Sequence, residues 1–337
     1  MIAVMWWIPS RRMLNSFPLV RILVATLCAL ALLAAGCGSS SSSSGGVKTV
    51  DVALDFVPNA VHAPLYEAVR TGADRKHGIK IHIVEPGSSP DSLKALLTGR
   101  AQVGVLDIQD LGIAQLKRRD VVGIAALVQR PLGALVSLPS ITRPRDLQGR
   151  TVGVSGLPSD PAFVDAIVRH DGGDPGKIKQ VTIGFAAVNA LLAKKVASVP
   201  AFWNAEGVTL RRKGLPVREF KIDDYGAPPW PEVVLAVTRK TLDGDRDTLK
   251  RFVAAVQDGA RAELKDPSAA ARDIANASDA KDLGLVSAQL AAVRPILDPS
   301  LRLNRPVLER WAAFGDQIGL LDGRPDVGKT FDFTLAG

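Results

Sequence analysis

The sequence predicts an α/β fold made of two lobes with a cleft between them. Short β-rich runs alternate with amphipathic segments from Val47 onward, which is typical of parallel sheets flanked by helices. A strand-helix-strand-helix-strand order occurs twice before the chain becomes almost entirely helical. With 337 residues, 47% of them hydrophobic, the chain is long enough for two cores.

The first unit is predicted from strand runs separated by helix signals. Pro64 falls in the first turn of one predicted helix, and Ser89, Pro90 and Asp91 form the start signal of the next, which Gly99 ends. The predicted strands are Thr49–Leu54, Ile79–Val84 and Ala101–Leu106, and the predicted helices are Ala63–Lys76 and Ser92–Thr98.

The second unit begins near Arg143 with a short helical turn at Pro144–Leu147. Strands are predicted at Thr151–Val154 and Ala197–Phe202, and helices at Ala162–His170, Ala186–Lys195 and Gly207–Lys213. Two further strands, near Gly133–Leu138 and Val233–Val237, are predicted to cross between the lobes. A ligand would then lie in the cleft.

The remainder of the chain, through Gly319, is predicted to be helical. Leu249, Phe252, Val253 and Val256 recur at helical spacing and are expected to face a core. We therefore predict lobe 1 at 47–137 and 234–337 and lobe 2 at 138–233.

The amino terminus has the pattern of an export signal. Arg11, Arg12 and Arg21 precede an apolar run that ends in Ala34-Ala35-Gly36-Cys37. This predicts a lipoprotein signal over residues 1–36, lipidation of Cys37 and a serine-glycine tether over 37–46. A single membrane span is the alternative, although the run is shorter than the ~20 residues that a span needs. Both predict export.

Composition excludes several functional classes. The formal net charge is +8, but basic residues are spread along the chain, which argues against nucleic-acid binding. The only cysteines are Cys28 and Cys37, so the processed chain would contain no disulfide and no cysteine metal site. Neither a cofactor nor a metal is predicted.

A resemblance to a known family rests on five ordered stretches of sequence. The first is Leu54-Asp55-Phe56-Val57-Pro58-Asn59-Ala60-Val61-His62, and the others are Ala126–Leu132, Asp146–Gly153, Phe202–Val208 and Tyr225–Glu232. Together they resemble the NMT1/THI5-like binding proteins. The resemblance implies a periplasmic-binding-protein fold of type II and service to the permease and ATPase of an ABC importer.

The resemblance also implies a ligand such as a pyrimidine thiamine precursor, while sulfonate, nitrate and riboflavin-type ligands are known among relatives. Three positions depart from the usual pattern. Phe56 replaces the usual tryptophan, Asp107-Ile108-Gln109 replaces serine-tyrosine-type cleft residues, and Pro200-Ala201-Phe202 replaces a glycine-rich approach. These departures concern the ligand more than the fold.

Candidate ligand residues follow the ends of predicted strands. Asp55, Asn59 and His62 come after the first strand, where open α/β sheets bind ligands. Asp55 offers acceptors for an exocyclic amine and Asn59 both donors and acceptors. The alternative is structural, because Asp55 and Asn59 also suit a turn and His62 a helix start. Asp107 and Gln109 end the third strand, although Asp107 could cap the next helix.

The second lobe supplies the other candidates. Trp203 offers a stacking face, and Asn204 and Glu206 lie beside it, Glu206 being able to orient an amine. Tyr225, Trp230 and Glu232 stand in a proline-rich segment. Core packing and hinge stiffening are the structural alternatives. Ser155 and Ser159 precede a helix start, which suits an anion, although helix capping also explains Ser159.

Enzyme functions are less well supported by the motifs. Gly153-Val154-Ser155-Gly156-Leu157 lacks the final glycine position of a nucleophile elbow, so an exported hydrolase using Ser155 is a weak alternative. A synthase branch of the same family carries a cysteine-rich segment that this chain lacks. A lipoprotein that senses its ligand remains open beside transport. We predict a binding protein with no catalytic residues.

Overall fold

The computed structural model describes residues 47–85, 91–156, 159–278 and 282–336. The predicted signal, Cys37 and the tether therefore lie outside the described residues, and so does the helix-start signal at Ser89 and Pro90. Val47–Gly337 forms one compact unit. Within the described part of the chain, no helix is long and apolar enough to cross a membrane.

Two five-stranded sheets organise this unit. The first sheet has the order β2-β1-β3-β10-β4, and its strands are β1 (Lys48–Ala53), β2 (Ile79–Val84), β3 (Val103–Asp107), β4 (Val121–Ala126) and β10 (Val233–Thr238). The second has the order β7-β6-β8-β5-β9, and its strands are β5 (Gly133–Ser137), β6 (Thr151–Val154), β7 (Lys179–Thr182), β8 (Ser198–Phe202) and β9 (Arg218–Lys221).

The two sheets repeat one design. In each, the strand next to one edge runs parallel to both its neighbours, β1 between β2 and β3, and β6 between β7 and β8. In each, one strand is antiparallel to both its neighbours, namely β10 between β3 and β4, and β5 between β8 and β9. Each of these two strands is the first one after the chain passes from one sheet to the other, β5 after β4 and β10 after β9.

Helices cover both sheets. Those between the strands are α1 (Ala63–Arg70), α2 (Ala73–Lys76), α3 (Asp91–Leu97), α4 (Ile108–Leu116), α5 (Asp160–His170), α6 (Ala187–Leu192) and α7 (Val208–Arg212). The later ones are α8 (Arg239–Gly244), α9 (Arg246–Lys265), α10 (Pro267–Ala277), α11 (Leu283–Val293), α12 (Arg305–Gln317) and α13 (Val327–Thr330). The helical character predicted for the carboxyl-terminal part is confirmed.

The long helix α9 packs closely on α1. Leu249, Phe252, Val253 and Val256 are all buried, as their spacing predicted. Gly259 permits the close approach, because a Cβ there would lie 2.1 Å from the carbonyl oxygen of Pro64. The carboxyl-terminal helices are thus part of the first sheet's core.

Several predicted elements differ in the structure. The predicted helix Ala63–Lys76 is divided into α1 and α2, because Gly72 adopts a φ of +72° that ends the first helix. The segment Leu127–Leu132, expected to be part of a hinge strand, lies outside any strand, and β4 ends at Ala126. Strands β4, β7 and β9 and helix α4 were not predicted.

The predicted crossing strands lie within the sheets instead of between them. Gly133–Ser137 belongs to the second sheet and Val233–Thr238 to the first. The changes of sheet fall in the segments before them, after β4 and after β9. The lobe limits at 137/138 and 233/234 stay predictions. The first limit lies after β5, whereas the chain changes sheet before β5.

Candidate functional site

The carboxyl ends of β1 and β3 meet the amino end of β10 at one edge of the first sheet. Asp55 follows β1, Asp107 ends β3 and Glu232 immediately precedes β10. Val233 pairs with Asp107, which fixes the register between these two strand ends. This edge is where an open α/β sheet binds ligands.

The turn after β1 holds Asp55 in place through His62. The His62 Nδ1 accepts from the Asn59 N–H at 3.2 Å, so Nε2 is left to donate to Asp55 Oδ1, at 2.7 Å. His62 is fully buried. Asn59 caps the turn, since its Oδ1 accepts from the Val61 N–H and its Nδ2 donates to the Val57 carbonyl. Asn59 and His62 therefore position Asp55.

Glu232 is a buried carboxyl group with several backbone donors. It accepts a hydrogen bond from the Leu132 N–H at 2.9 Å. Burial raises the pKa of Glu232, and hydrogen bonds from Leu132, Gln109 and Gly133 act in the opposite direction. Glu232 thus ties β10 to the segment that connects the two sheets, and Gln109 supports it.

Asp107 is the least satisfied of these groups. Its Oδ1 is buried and has no hydrogen-bond partner among the described residues. Burial raises the pKa of Asp107 well above its ordinary value, and the nearby charges of Asp55, Glu232 and Asp110 raise it further. Asp107 therefore combines a raised pKa with a buried oxygen that has no hydrogen-bond partner among the described residues.

Asp110 completes the acidic group and was not among the sequence candidates. It lies in the first turn of α4, three residues after Asp107. Burial and the charge of Asp55 raise the pKa of Asp110. The sequence carried a signal, because positions three apart share a helix face, but α4 had not been predicted. Asp55, Asp107, Asp110 and Glu232 form what we call the carboxylate cluster.

The second sheet reaches this edge through Trp203. The Trp203 backbone N–H donates to the Leu132 carbonyl and its indole Nε1 donates to the Pro131 carbonyl, both at 3.0 Å. The ring is buried, and the Lys221 ammonium lies 3.8 Å from its centroid. Trp203 is therefore fixed against the connecting segment and carries a cation over its ring.

Two neighbours of Trp203 present oxygen atoms. Asn204 is buried, and its Oδ1 has no hydrogen-bond partner among the described residues. Glu206 accepts from the Phe202 N–H at 3.1 Å, and burial raises the pKa of Glu206. These residues lie in a π-helical turn, Trp203–Gly207, directly after β8. Such turns often occur at functional positions.

The start of α5 carries a protein carboxylate of its own. Asp160 Oδ2 accepts from the Ser155 hydroxyl at 2.8 Å and from the Gly156 N–H at 2.9 Å. Ser159 is the residue before the helix and is half-buried. The donors that would suit a bound anion thus already contact Asp160, whose charge would repel a second anion.

Tyr225 has no described contact with the carboxylate cluster, whereas a hydrogen bond of the Trp230 side chain lowers the pKa of Glu232. Tyr225 packs edge-on against Phe220 and against His170, the last residue of α5, with ring centroids 6.0 and 5.9 Å apart. Trp230 is buried in the core, 5.9 Å from Phe314. Their roles as ligand residues stay predictions.

Two aromatic side chains are exposed beside strand ends. Phe56 is 51% exposed after β1, and Phe185 is 81% exposed after β7. Phe56 was a sequence candidate, whereas Phe185 was not. Exposure of this degree is unusual for phenylalanine, and each ring follows the end of a strand, Phe56 in the first sheet and Phe185 in the second.

Among the described residues, no group of three or more His, Cys, Asp and Glu side chains is arranged to hold a metal ion.

The family is decided by a match over most of the chain. The family model described as NMT1/THI5 like matches residues 59–270. The chain belongs to this family. The resemblance found in the sequence is thereby confirmed.

Comparison with individual proteins agrees with this assignment. The chain is 27% identical over 276 residues to the formylaminopyrimidine-binding protein of Halalkalibacterium halodurans, covering 81% of this chain and 82% of the relative. It is 26% identical over 226 residues to a 4-amino-5-hydroxymethyl-2-methylpyrimidine phosphate synthase of Legionella pneumophila, covering 66% of this chain and 71% of the relative.

A solved structure supports the fold. The ligand-binding component of an ABC-type import system from Staphylococcus aureus, crystallised with zinc, superimposes with a TM-score of 0.68 and 13% identity, covering 86% of this chain and 98% of the other. The predicted α/β periplasmic-binding-protein fold is confirmed.

The raised pKa of Asp107 predicts a specific dependence of stability on pH. An unfolded aspartate titrates at about 4. The folded protein keeps the Asp107 proton to higher pH than the unfolded chain does. The stabilisation that results from this difference is therefore fully present below the pKa of the unfolded chain. It is lost as the pH rises toward the folded-state pKa. Asp107→Asn removes this loss, so urea unfolding should show that the stability of the variant relative to the wild type increases as the pH rises above about 4.

The matched control is Asp120→Asn, whose exposed carboxylate lies 3.5 Å from Arg239. This variant should keep the pH dependence of the wild type. Parallel curves for the wild type and Asp107→Asn would show that Asp107 ionises normally in the folded protein.

Proposed function

We propose that the protein is the solute-binding component of an ABC importer and that its ligand is a small amine-bearing heteroaromatic compound, such as a pyrimidine thiamine precursor. The observation that carries this proposal is the carboxylate cluster at the edge of the first sheet. Family membership and the fold support the binding role, and two relatives whose names concern pyrimidines support the ligand class.

The hydrogen-bonding pattern of a carboxyl group matches an aminopyrimidine edge. A neutral carboxylic acid donates from its O–H to a ring nitrogen and accepts from the exocyclic amine through its C=O. An ionised carboxylate makes the same pair with a ring that carries the proton. Asp107, with an unpaired buried oxygen and a raised pKa, suits the first pattern. Asp55, fixed by His62, supplies a further acceptor.

The second sheet supplies the remaining polar contact and the aromatic surface of this proposed site. The unpaired Asn204 Oδ1 is an acceptor for a donor on the ligand. Phe56 and Phe185 offer exposed ring faces for stacking on a planar heterocycle. Closure of the two sheets toward each other would remove both rings from water and complete the site.

An anionic ligand is the second candidate, because sulfonate-binding proteins share this fold. The start of α5 was its predicted anchor. Asp160 accepts from Ser155 and Gly156 there, and the opposite edge carries four carboxyl groups. At the start of α5 the donors that an anion would need are thus already used, which disfavours a sulfonate or nitrate ion there. Nothing about the binding role requires a catalytic step, so we propose no enzymatic activity.

Export and anchoring form a separate part of the proposal. The sequence Ala34-Ala35-Gly36-Cys37 after an apolar run supports an envelope lipoprotein that is tethered by residues 37–46 and presents its ligand to a permease. A lipid anchor would raise the concentration of the binding protein near its importer.

Ligand class can be tested by the thermal stability of residues 47–337 with added compounds. A 4-amino-2-methylpyrimidine ligand at 100 times its dissociation constant should stabilise the wild type by about 2.7 kcal/mol, whereas methanesulfonate and nitrate should give no shift. Asp107→Leu, which removes the polar pair, should lose at least about tenfold in affinity, and Asp107→Asn, which mimics the neutral acid, should keep most of it. Stabilisation by the sulfonate alone would contradict the proposed ligand class.

Anchoring can be tested by fractionating cells that express the full chain. Wild-type protein should sediment with membranes, and Cys37→Ser should lose the acyl chains and the lipoprotein cleavage. Cys28→Ser is the control, because Cys28 lies inside the signal. Equal cleavage and equal acylation of the wild type and Cys37→Ser would contradict the anchor.

A further inference from the structure

A second cavity lies away from the carboxylate cluster, among the carboxyl-terminal helices α9, α10 and α11. Its volume is about 340 Å³, which is within the range of small-molecule sites. The lining combines polar side chains with an apolar wall. It includes Glu263, Ser268, Ser287 and Arg294, together with Pro267 and Leu290. None of these residues belongs to the site at the sheet edge.

Glu263 is the unusual member of this lining. It lies in the last turn of α9 and is only 3% exposed. Its Oε2 is buried and has no hydrogen-bond partner among the described residues. A buried carboxyl oxygen without a partner costs stability, and buried polar groups are nearly always paired. Glu263 therefore presents an unused acceptor on the wall of the cavity.

The charges around Glu263 favour a cation. Glu67 on α1 is fully buried and accepts from the guanidinium of Arg70, and Asp273 on α10 lies 3.0 Å from the same guanidinium. Arg70 is thus already paired with two carboxyl groups, those of Glu67 and Asp273. Burial and then the charge of Glu67 raise the pKa of Glu263 to about 8. Among the described residues, no hydrogen bond or ion pair joins the Glu263 carboxyl group to a cation, and Arg294 on the same cavity donates to the Leu264 carbonyl instead.

We propose that this cavity binds a small primary ammonium compound, with Glu263 accepting a hydrogen bond from its N–H groups. The aliphatic part of the ligand lies on Pro267 and Leu290, and Ser268 and Ser287 offer further acceptors. Arg294, which donates to the Leu264 carbonyl at 3.2 Å, stands at the same cavity and limits the length of the ligand's apolar end.

Binding should displace a proton. The ligand arrives as R–NH₃⁺, Glu263 changes from the carboxylic acid to the carboxylate, and its proton passes to the buffer. An ion pair then replaces the neutral acid, because the ammonium supplies the positive partner that the buried group lacks. Cation binding at an ordinary surface carboxylate releases no proton at pH 7, so proton release distinguishes this site.

The test is calorimetric titration of residues 47–337 with n-butylammonium chloride at pH 7, in buffers of different ionisation enthalpy. We expect release of about one proton per ligand bound and at least tenfold weaker binding in Glu263→Gln. Ser287→Trp, which fills the cavity from its exposed rim, should also block binding. n-Butanol, which lacks the charge, should bind at least tenfold more weakly.

Two controls locate the binding. Asp247→Asn changes an exposed carboxylate on the same helix, 94% accessible, and should behave as the wild type does. Asp107→Leu removes the cluster residue at the sheet edge and should leave n-butylammonium binding intact. Binding that survives in Glu263→Gln and disappears in Asp107→Leu would overturn the proposal, as would binding without proton release or no binding at all.

Discussion

The architecture depends on the backbone of one residue, Leu132, in the segment between the two sheets. Its N–H donates to the buried Glu232 carboxyl group of the first sheet's edge, and its C=O accepts from the Trp203 N–H of the second. Trp203 holds the preceding residue as well, through Pro131. Because buried backbone groups must be paired, these bonds fix where the connecting segment can run. Leu132 thereby links Glu232 of the carboxylate cluster to Trp203 of the second sheet.

A cluster of four carboxyl groups is a destabilising feature in a protein interior. Burial raises the pKa of Asp107, Asp110 and Glu232, and the charge of Asp55 raises the pKa of Asp107 and Asp110 further. The protein offsets part of this by hydrogen bonds to Glu232 and by the contact of His62 with Asp55, while Asp107 Oδ1 is left without a partner among the described residues. A group left unsatisfied in this way is costly for stability and useful for recognition, because a ligand with matching donors removes the penalty when it binds.

The sequence predicted the elements whose signals are local. Hydrophobic periodicity and the turn residues predicted strands β1, β2 and β3 and the core face of α9. They also predicted that Asp55, Asp107 and Glu232 lie at strand ends. It did not predict β7 and β9, because few of their residues are buried, whereas β6, which also has four residues, is mostly buried and apolar. Nor did it predict that Tyr225 packs against His170 or that Asp160 contacts Ser155, because such contacts depend on which segments the fold brings together. Asp110 was missed because the helix that Asp107 could cap was given no bounds, so its first turn was not searched for further carboxyl groups.

The most direct test of the carboxylate cluster is a carboxyl-carbon NMR titration of Asp107 in the ligand-free protein, with Asp120 as an exposed reference. An unfolded aspartate titrates at about 4, and we expect the Asp107 signal to titrate well above that value. If the Asp107 signal titrates near the ordinary value, Asp107 is an ordinary carboxylate. The explanation of ligand recognition through a retained proton would then be wrong.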